Sequence, residues 1–287
     1  MTELSTEIEK IVKDIKLLSP SASSLLEVTS REDHNLDEVV SIIKNDANLT
    51  AKVLKIVNSA AYGLRSEVTA IDRAVGFTGE TSLISIAMNE AAGMLYQKEL
   101  SGYEGQKGDL WAHNLLTALA AKKIVPHAIK PINGDVAFTC GLLHDLGKSI
   151  LSDFLKDTSA KVIQALDEKK VASYESAESK ILGIDHCETG FKLAEHWNLP
   201  QPIPSAIRYH HNPSAAPEEH RTLVYAIHLG DMLSMMAGSG TGADTLRYQL
   251  DPNYTDYIEL NENDLASIMV DIGDEFIKMQ ESMQDDQ

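Results

Sequence analysis

Residues 138–151, FTCGLLHDLGKSIL, set a histidine beside an aspartate, His144 and Asp145, in the middle of an apolar run. Burying an unpaired carboxylate is costly and normally forces it to be neutralised or paired. A fold that buries this run must supply a cation, and a divalent metal is one that histidine and aspartate bind together. Lys148 lies three residues beyond Asp145, one helical turn on, where its ammonium can sit over the same site and meet an anionic group such as a phosphate. An isolated His-Asp pair more often caps a helix or lies on a surface, so the remaining histidines decide between the two readings.

Taken in chain order, the candidate ligands are His113, His144, Asp145, His186, His210, His211 and Asp231, each on or at the edge of a predicted helix. Their intervals are too long for a local zinc knuckle and suit a bundle whose inward side chains converge from several helices. Seven mixed nitrogen and oxygen donors exceed the needs of one tetrahedral ion. One or two divalent transition ions therefore fit, with Fe, Mn, Zn, Ni and Co all compatible. In the two-ion arrangement Asp145 is the bridge, His113, His144, Asp145 and Asp231 form one site, and His186, His210 and His211 complete the other. Asp109, four residues before His113, is placed for an outer carboxylate or an additional ligand. His34, His127, His196, His220 and His228 fit no motif and read as ordinary surface or core histidines. Cys140 and Cys187 are too far apart for a CxxC pair. Both read as buried, inert thiols near the site rather than as a disulfide.

Almost every periodic segment reads as helix, and hairpin signals are missing, which predicts an all-α fold. Within residues 35–43, Leu36, Val39, Val40 and Ile43 share a face, with Asn35 and Glu38 placed as a capping pair. Residues 48–62 put Leu49, Val53, Ile56 and Val57 on one face and stop at Gly63. A further helix is expected over residues 82–99. SGYEGQKG at 101–108 breaks the pattern, dividing an N-terminal helical layer, residues 1–101, from a metal-site subdomain, residues 102–287. Nine of the ten histidines fall in the second part. Residues 235–257 read as a flexible loop, and the last helix is expected to end in the polar tail QESMQDDQ.

A chain of 287 residues buries about 75% of the surface it would expose unfolded, enough for a dry site. The net charge of -18 argues against binding DNA, since that affinity depends on clustered Lys and Arg. No apolar run approaches the ~18 residues of a membrane span, and the first residues lack a secretory pattern. A cytoplasmic protein is expected.

The order His113, HDLGK at 144–148, HCETG at 186–190, YHHNP at 209–213 and GD at 230–231 resembles the HD superfamily of metal-dependent phosphohydrolases. The closer resemblance is to one branch. LSPSASSLLEV, NDANLTAKVLKIVNSAAYG and VTAIDRAVGFTGETSLISIA look like the HDOD domain, the HD-related output domain of bacterial signalling proteins, over residues 18–236. That resemblance implies a multi-helix HD-superfamily bundle with an N-terminal HDOD layer and a role in signal transduction, with a sensor or regulator as partner. Many HDOD domains have lost the HD ligands and act through protein contacts. This chain keeps, at matching positions, the seven ligands of the related HD-GYP phosphodiesterases and, at Lys148, the lysine of their HDxGK motif. It departs from them at Asn212, where a glutamate is expected, and no Gly-Tyr-Pro follows, which argues against cyclic di-GMP hydrolysis.

Three functions are then in competition. The first is a regulatory output or partner-binding module with a dinuclear His/Asp site, its input arriving through a separate protein or ligand. The second is an active phosphohydrolase or phosphodiesterase acting on a nucleotide or another phosphate ester, with Lys148 and Asp145 as catalytic residues. The third, a helical adaptor with vestigial histidines, fits least well, because random loss erodes such a set piecemeal.

Overall fold

The computed structural model describes residues 2–31, 33–59, 64 and 68–284. Helix α1 (Glu3–Asp14) starts where the Thr2 hydroxyl accepts the Ser5 N–H, and it buries Ser5, Ile8 and Val12 along one face. Ser19 caps α2 (Pro20–Thr29), with proline in the first turn. Asn35 and Glu38 form the expected capping box on α3 (Leu36–Lys44), which buries Val39, Val40 and Ile43. Asp46 caps α4 (Ala47–Val57), and Leu49, Val53, Ile56 and Val57 are its buried face.

Helix α4 stops short of the expected end at Tyr62. The Asn58 side chain accepts the Val68 N–H at 2.7 Å and donates to the Val68 carbonyl at 2.8 Å, closing the chain back on itself. Residues 60–63, which include most of the NSAAYG element, lie outside the described residues. The expected helix over 82–99 belongs to a longer one, α5 (Ile71–Tyr96), interrupted at Gly79, whose φ of 73° only glycine adopts readily.

The second part runs through α6 (Asp109–Ile124), α7 (Gly134–Leu143), α8 (Leu146–Leu155), α9 (Ser159–Asp167), α10 (Tyr174–Leu182), α11 (His186–His196), α12 (Ile203–Tyr209), α13 (Glu218–Met236) and α14 (Glu262–Gln284). The expected polar tail thus continues the helix as far as Gln284. The molecule is all-α, with no β-strand among the described residues beyond two isolated bridges. Helix α6 is the central rod, flanked by α7 and α13 and covered on its outer side by α14, while α11 packs between α8 and α12. Helix α5 reaches α6, α7 and α8, so one apolar core runs from Ile8 to Met279. No helix among the described residues is long and apolar enough to cross a membrane.

Two glycines let these helices approach closely enough to gather the polar residues. A Cβ on Gly230 would lie 2.9 Å from the Thr117 carbonyl oxygen and 3.0 Å from the Ala121 nitrogen, so α13 meets α6 backbone to backbone. A Cβ on Gly147 would lie 1.9 Å from the His186 carbonyl oxygen, so α8 and α11 touch at their first turns. Each contact sits within one or two residues of a candidate ligand.

Residues 237–251, inside the segment read as a flexible loop, fold inward. Thr241, Asp244 and Tyr248 are buried in that stretch. They hold one another and Lys148, which is polar and distant in sequence, so no apolar periodicity announced them.

Candidate metal centre

Helix ends deliver most of the polar residues. His113 projects from α6 and Asp231 from α13, while His144 ends α7 and Asp145 precedes α8. His186 opens α11, and His210 ends α12 with His211 next in the chain. All seven come together at the centre of the second part. Six are at most 1% exposed, and the His211 side chain is 4% exposed.

Their donor atoms are spaced like the corners of coordination polyhedra. His113 Nε2 is 3.0 Å from Asp231 Oδ1 and 3.4 Å from Asp145 Oδ2, and His144 Nε2 is 3.6 Å from that same Asp145 oxygen. The other Asp145 oxygen, Oδ1, faces His210 Nε2 at 3.4 Å and His186 Nε2 at 3.5 Å. A metal bond of about 2.1 Å separates neighbouring donors by about 3.0 Å at a right angle and about 3.4 Å at the tetrahedral angle. Asp145 therefore presents one oxygen to each set of histidines, the disposition of a bridging carboxylate. Asp231 straddles as well, its Oδ2 lying 3.7 Å from His211 Nδ1.

The outer faces of the imidazoles fix their inner faces. Nδ1 lies 2.8 Å from the Ser239 carbonyl oxygen in His113, 2.8 Å from that of Gly141 in His144 and 2.8 Å from that of Ile207 in His210. In His186 it lies 2.7 Å from Glu178 Oε2. Carbonyl and carboxylate oxygens only accept, so each Nδ1 carries a proton and each Nε2 is aimed inward, where it is a lone-pair donor once the ring is neutral. His113 Nε2, His144 Nε2, Asp145 Oδ1, both His211 nitrogens and Asp231 Oδ2 have no hydrogen-bond partner among the described residues. Buried polar atoms left this way are rare and point to a missing ion.

Electrostatics agree with that reading. Burial pushes the Asp145 and Asp231 carboxyls up, but Lys148 and the histidines more than reverse it and hold both well below the usual carboxylate range. Burial pulls His210 down to about 4 and His211 well below its ordinary value, so both rings are neutral lone-pair donors. Among the described residues the buried carboxylates Asp145, Glu178, Asp231 and Asp244 face the buried ammonium of Lys148, and the carboxylates beside them outweigh burial to raise His113 to about 10 and His186 well above its ordinary value. Divalent cations held by these donors would take the place of those ring protons in balancing the carboxylates.

Several residues at the centre were not anticipated. Glu178 accepts from the His186 backbone N–H at 2.9 Å as well as from Nδ1, and Tyr103 donates to its other oxygen at 2.6 Å. Tyr248 stacks on His211 with ring centroids 3.9 Å apart. Lys148 Nζ lies 2.7 Å from Asp145 Oδ2 and 2.7 Å from Asp244 Oδ2. Cys187 belongs to the second set of histidines, its Sγ 3.5 Å from His186 Nε2, and burial pushes its thiol up to about 12. Lys148 and Cys187 are singled out by the sequence; the nearby HCETG element is the available signal for Glu178, and nothing marks Tyr103, Tyr248 or Asp244.

The expectation that Asp109 supports the centre fails. Its carboxylate accepts the Gln106 N–H at 2.6 Å at the start of α6, and His113 Nδ1 turns instead to Ser239. His228 is a satisfied core histidine, donating from Nδ1 to the His210 carbonyl and accepting the Asp251 N–H at Nε2. His196 ties α11 to the Ile15 carbonyl. His34 pairs with Glu80 on the far side of the molecule. A cleft of about 750 Å³ between α5, α6 and α14 is lined by Lys52, Asn89, Trp111 and Phe276 and contains none of the seven residues.

The sequence profile of the HDOD domain matches residues 15–213. An uncharacterised protein of Treponema pallidum (strain Nichols) is 27% identical over 236 residues, 80% of this chain and 44% of that protein, so the chain spans less than half the length of that relative. The crystal structure of an HDOD domain protein of unknown function from Geobacter sulfurreducens superposes with a TM-score of 0.70 at 23% identity, covering 99% of this chain and 96% of that one. One from Marinobacter aquaeolei VT8, provisionally named a signal transduction protein, gives 0.75 at 20% identity over 97% of this chain and 64% of that one. With its matched profile covering most of the chain and its all-helical fold shared with these structures, the protein belongs to the HDOD domain family.

Proposed function

We propose that this chain is a bacterial signalling module of the HDOD family built around a His/Asp metal centre, holding one or two divalent transition ions and contacting a sensor or regulator protein through the helices of residues 1–101. The observation that carries the reading is the set of four histidines, His113, His144, His186 and His210, whose Nδ1 protons are committed outward while their Nε2 atoms face Asp145 and Asp231. His211 and the second oxygens of the two carboxylates complete the set. Binding that favours the folded state stabilises it in proportion to its affinity, so the ions would clamp α6, α7, α8, α11, α12 and α13 into one body.

A second reading, a metal-dependent hydrolase of phosphate esters or nucleotides, is favoured by Lys148. Its ammonium stays charged because Asp145 and Asp244 outweigh the penalty of burial. Bound metal would supply Lewis acidity and a water of lowered pKa. Asp145 would hold the two halves of the centre together, and Lys148 would neutralise charge growing on a phosphoryl oxygen. The enclosure of all seven residues ranks this reading second, because a substrate must reach the centre before it reacts.

Elemental analysis of untagged, chelator-free protein tests both. About one or two tightly held transition ions per chain are expected. Metal far below one per chain, even after anaerobic purification with added Fe, Mn or Zn, overturns both readings and leaves a module acting through protein contacts alone.

A further inference from the structure

One side of the centre is closed by residues 237–251, which reach His113 on α6 and His211 after α12. The Ser239 carbonyl accepts from His113, and the Tyr248 ring lies flat on His211 at an interplanar angle of 11°. Between them the Asp244 carboxylate, fully buried, meets Lys148 Nζ at 2.7 Å, the Thr241 hydroxyl at 2.7 Å and the Tyr248 hydroxyl at 2.7 Å. Three donors converge on a carboxylate whose bonds all go to Lys148 and to its own segment. Of the three donors only Lys148 lies outside the segment, and its buried ammonium is the group that a phosphoryl oxygen would meet in place of the Asp244 carboxylate.

The same segment is tied outward by further links, the shortest from the Ala243 N–H to the Tyr103 carbonyl at 2.6 Å. The Arg247 carbonyl accepts the Tyr174 N–H at 3.2 Å, and the Arg247 guanidinium pairs with Asp167 at 3.0 Å on a partly exposed surface. Gln249 donates to the Ala172 carbonyl at 3.1 Å. Farther on, the Asp251 N–H donates to His228. The segment therefore joins the centre to the surface between α9 and α10.

Resting on the reading of a metal centre, we propose that residues 237–251 form a displaceable strap. Its Asp244 carboxylate holds the place beside Lys148 that an anionic phosphoryl group takes, so that a phosphate-bearing ligand frees the strap from α9 and α10. A buried ion pair survives only while each partner is compensated, so a second anion on Lys148 leaves Asp244 uncompensated and expels it toward water. The centre then acts as a sensor of phosphorylated small molecules, with the strap as its output.

The test is hydrogen exchange and calorimetry on the full chain, with inorganic phosphate as the probe, for wild type, Asp244→Asn and Lys148→Ala. Millimolar phosphate is expected to speed amide exchange in the wild-type strap while α6 and α13 keep their protection. Asp244→Asn is expected to exchange its strap about tenfold faster without phosphate and to bind phosphate about tenfold more tightly than wild type. Lys148→Ala should abolish phosphate binding. Tyr248→Phe, which keeps the ring on His211 but removes the hydroxyl from Asp244, gives the same readout with a milder change. A strap that exchanges alike in wild type, Asp244→Asn and Tyr248→Phe, or phosphate binding that survives loss of Lys148, overturns the proposal. Metal content measured on the same samples separates the two ideas. Metal present with an unresponsive strap sinks the strap alone; metal absent with a responsive strap sinks the metal centre alone.

Discussion

His186 is the one histidine of the centre whose outer nitrogen meets a carboxylate, Nδ1 lying 2.7 Å from Glu178 Oε2, where His113, His144 and His210 each meet a backbone carbonyl. The carboxylate makes the imidazole a stronger donor through Nε2 and holds its plane, since the same oxygen also accepts the His186 N–H. Glu178→Gln keeps the shape but removes the charge. It is expected to weaken metal held through His186 by about 10–100-fold while sparing metal held through His113 and His144. A competitive chelator titration that shows metal affinity unchanged would remove Glu178 from this role.

Asp145 faces both sets of histidines, so Asp145→Ala should lower bound metal well below the wild-type content. Asp231→Asn, whose loss leaves the His186 and His210 contacts with Asp145 in place, should lower it by less. Helical circular dichroism should stay largely intact for Asp145→Ala, because Leu142, Leu143 and Leu146 still pack around it. Unchanged metal in Asp145→Ala removes it from the centre.

Gly147 and Gly93 make a matched pair of opposite sign. At Gly147 a methyl group collides with the His186 carbonyl, and at Gly93, inside α5, it meets nothing within 4 Å. Gly147→Ala is expected to destabilise by about 1–3 kcal/mol and to weaken metal retention by forcing α8 from α11. Gly93→Ala should stabilise by up to about 1 kcal/mol through helix propensity. Urea unfolding of both variants checks the pair; equal effects would mean that the α8–α11 approach is slack.

The His34 ring has acceptors at both nitrogens, the Arg31 carbonyl at 2.7 Å and Glu80 Oε1 at 2.8 Å, so both nitrogens donate only when the ring is protonated. Burial pulls its pKa down, but the Arg31 carbonyl and Glu80 outweigh that and raise it above the ordinary 6.5. With the folded value raised, the contribution of this link is fully present below about pH 6.5 and is lost as pH rises through the folded value. Asp135 adds attraction, while its own partner Lys122 lies 2.5 Å from it. The melting temperature of wild type minus that of His34→Gln should shrink between about pH 6 and 9. A gap that stays constant or widens contradicts the link.

Much of this protein is written locally. Capping by Asn35 and Glu38, the buried face of α4 and the absence of strand signals follow from spacing along the chain, because a helix repeats its contacts every three or four residues. The HD, HCETG and HH elements named five of the seven residues that the fold gathers, since each is a short signature at a helix end, while His113 and Asp231 lie within α6 and α13. What surrounds them was invisible. Tyr103 meets Glu178 across 75 positions, and Lys148 meets Thr241 across 93. Asp244 and Tyr248 sit in a stretch without periodic apolar residues. A polar side chain is buried only when tertiary structure supplies its partners, and those partners lie on elements whose approach is set by contacts such as Gly147 against His186. Sequence determined the helices and nominated the donors; packing alone decided which atoms face one another, which oxygen of Asp145 serves which histidines, and that the loop closes over them.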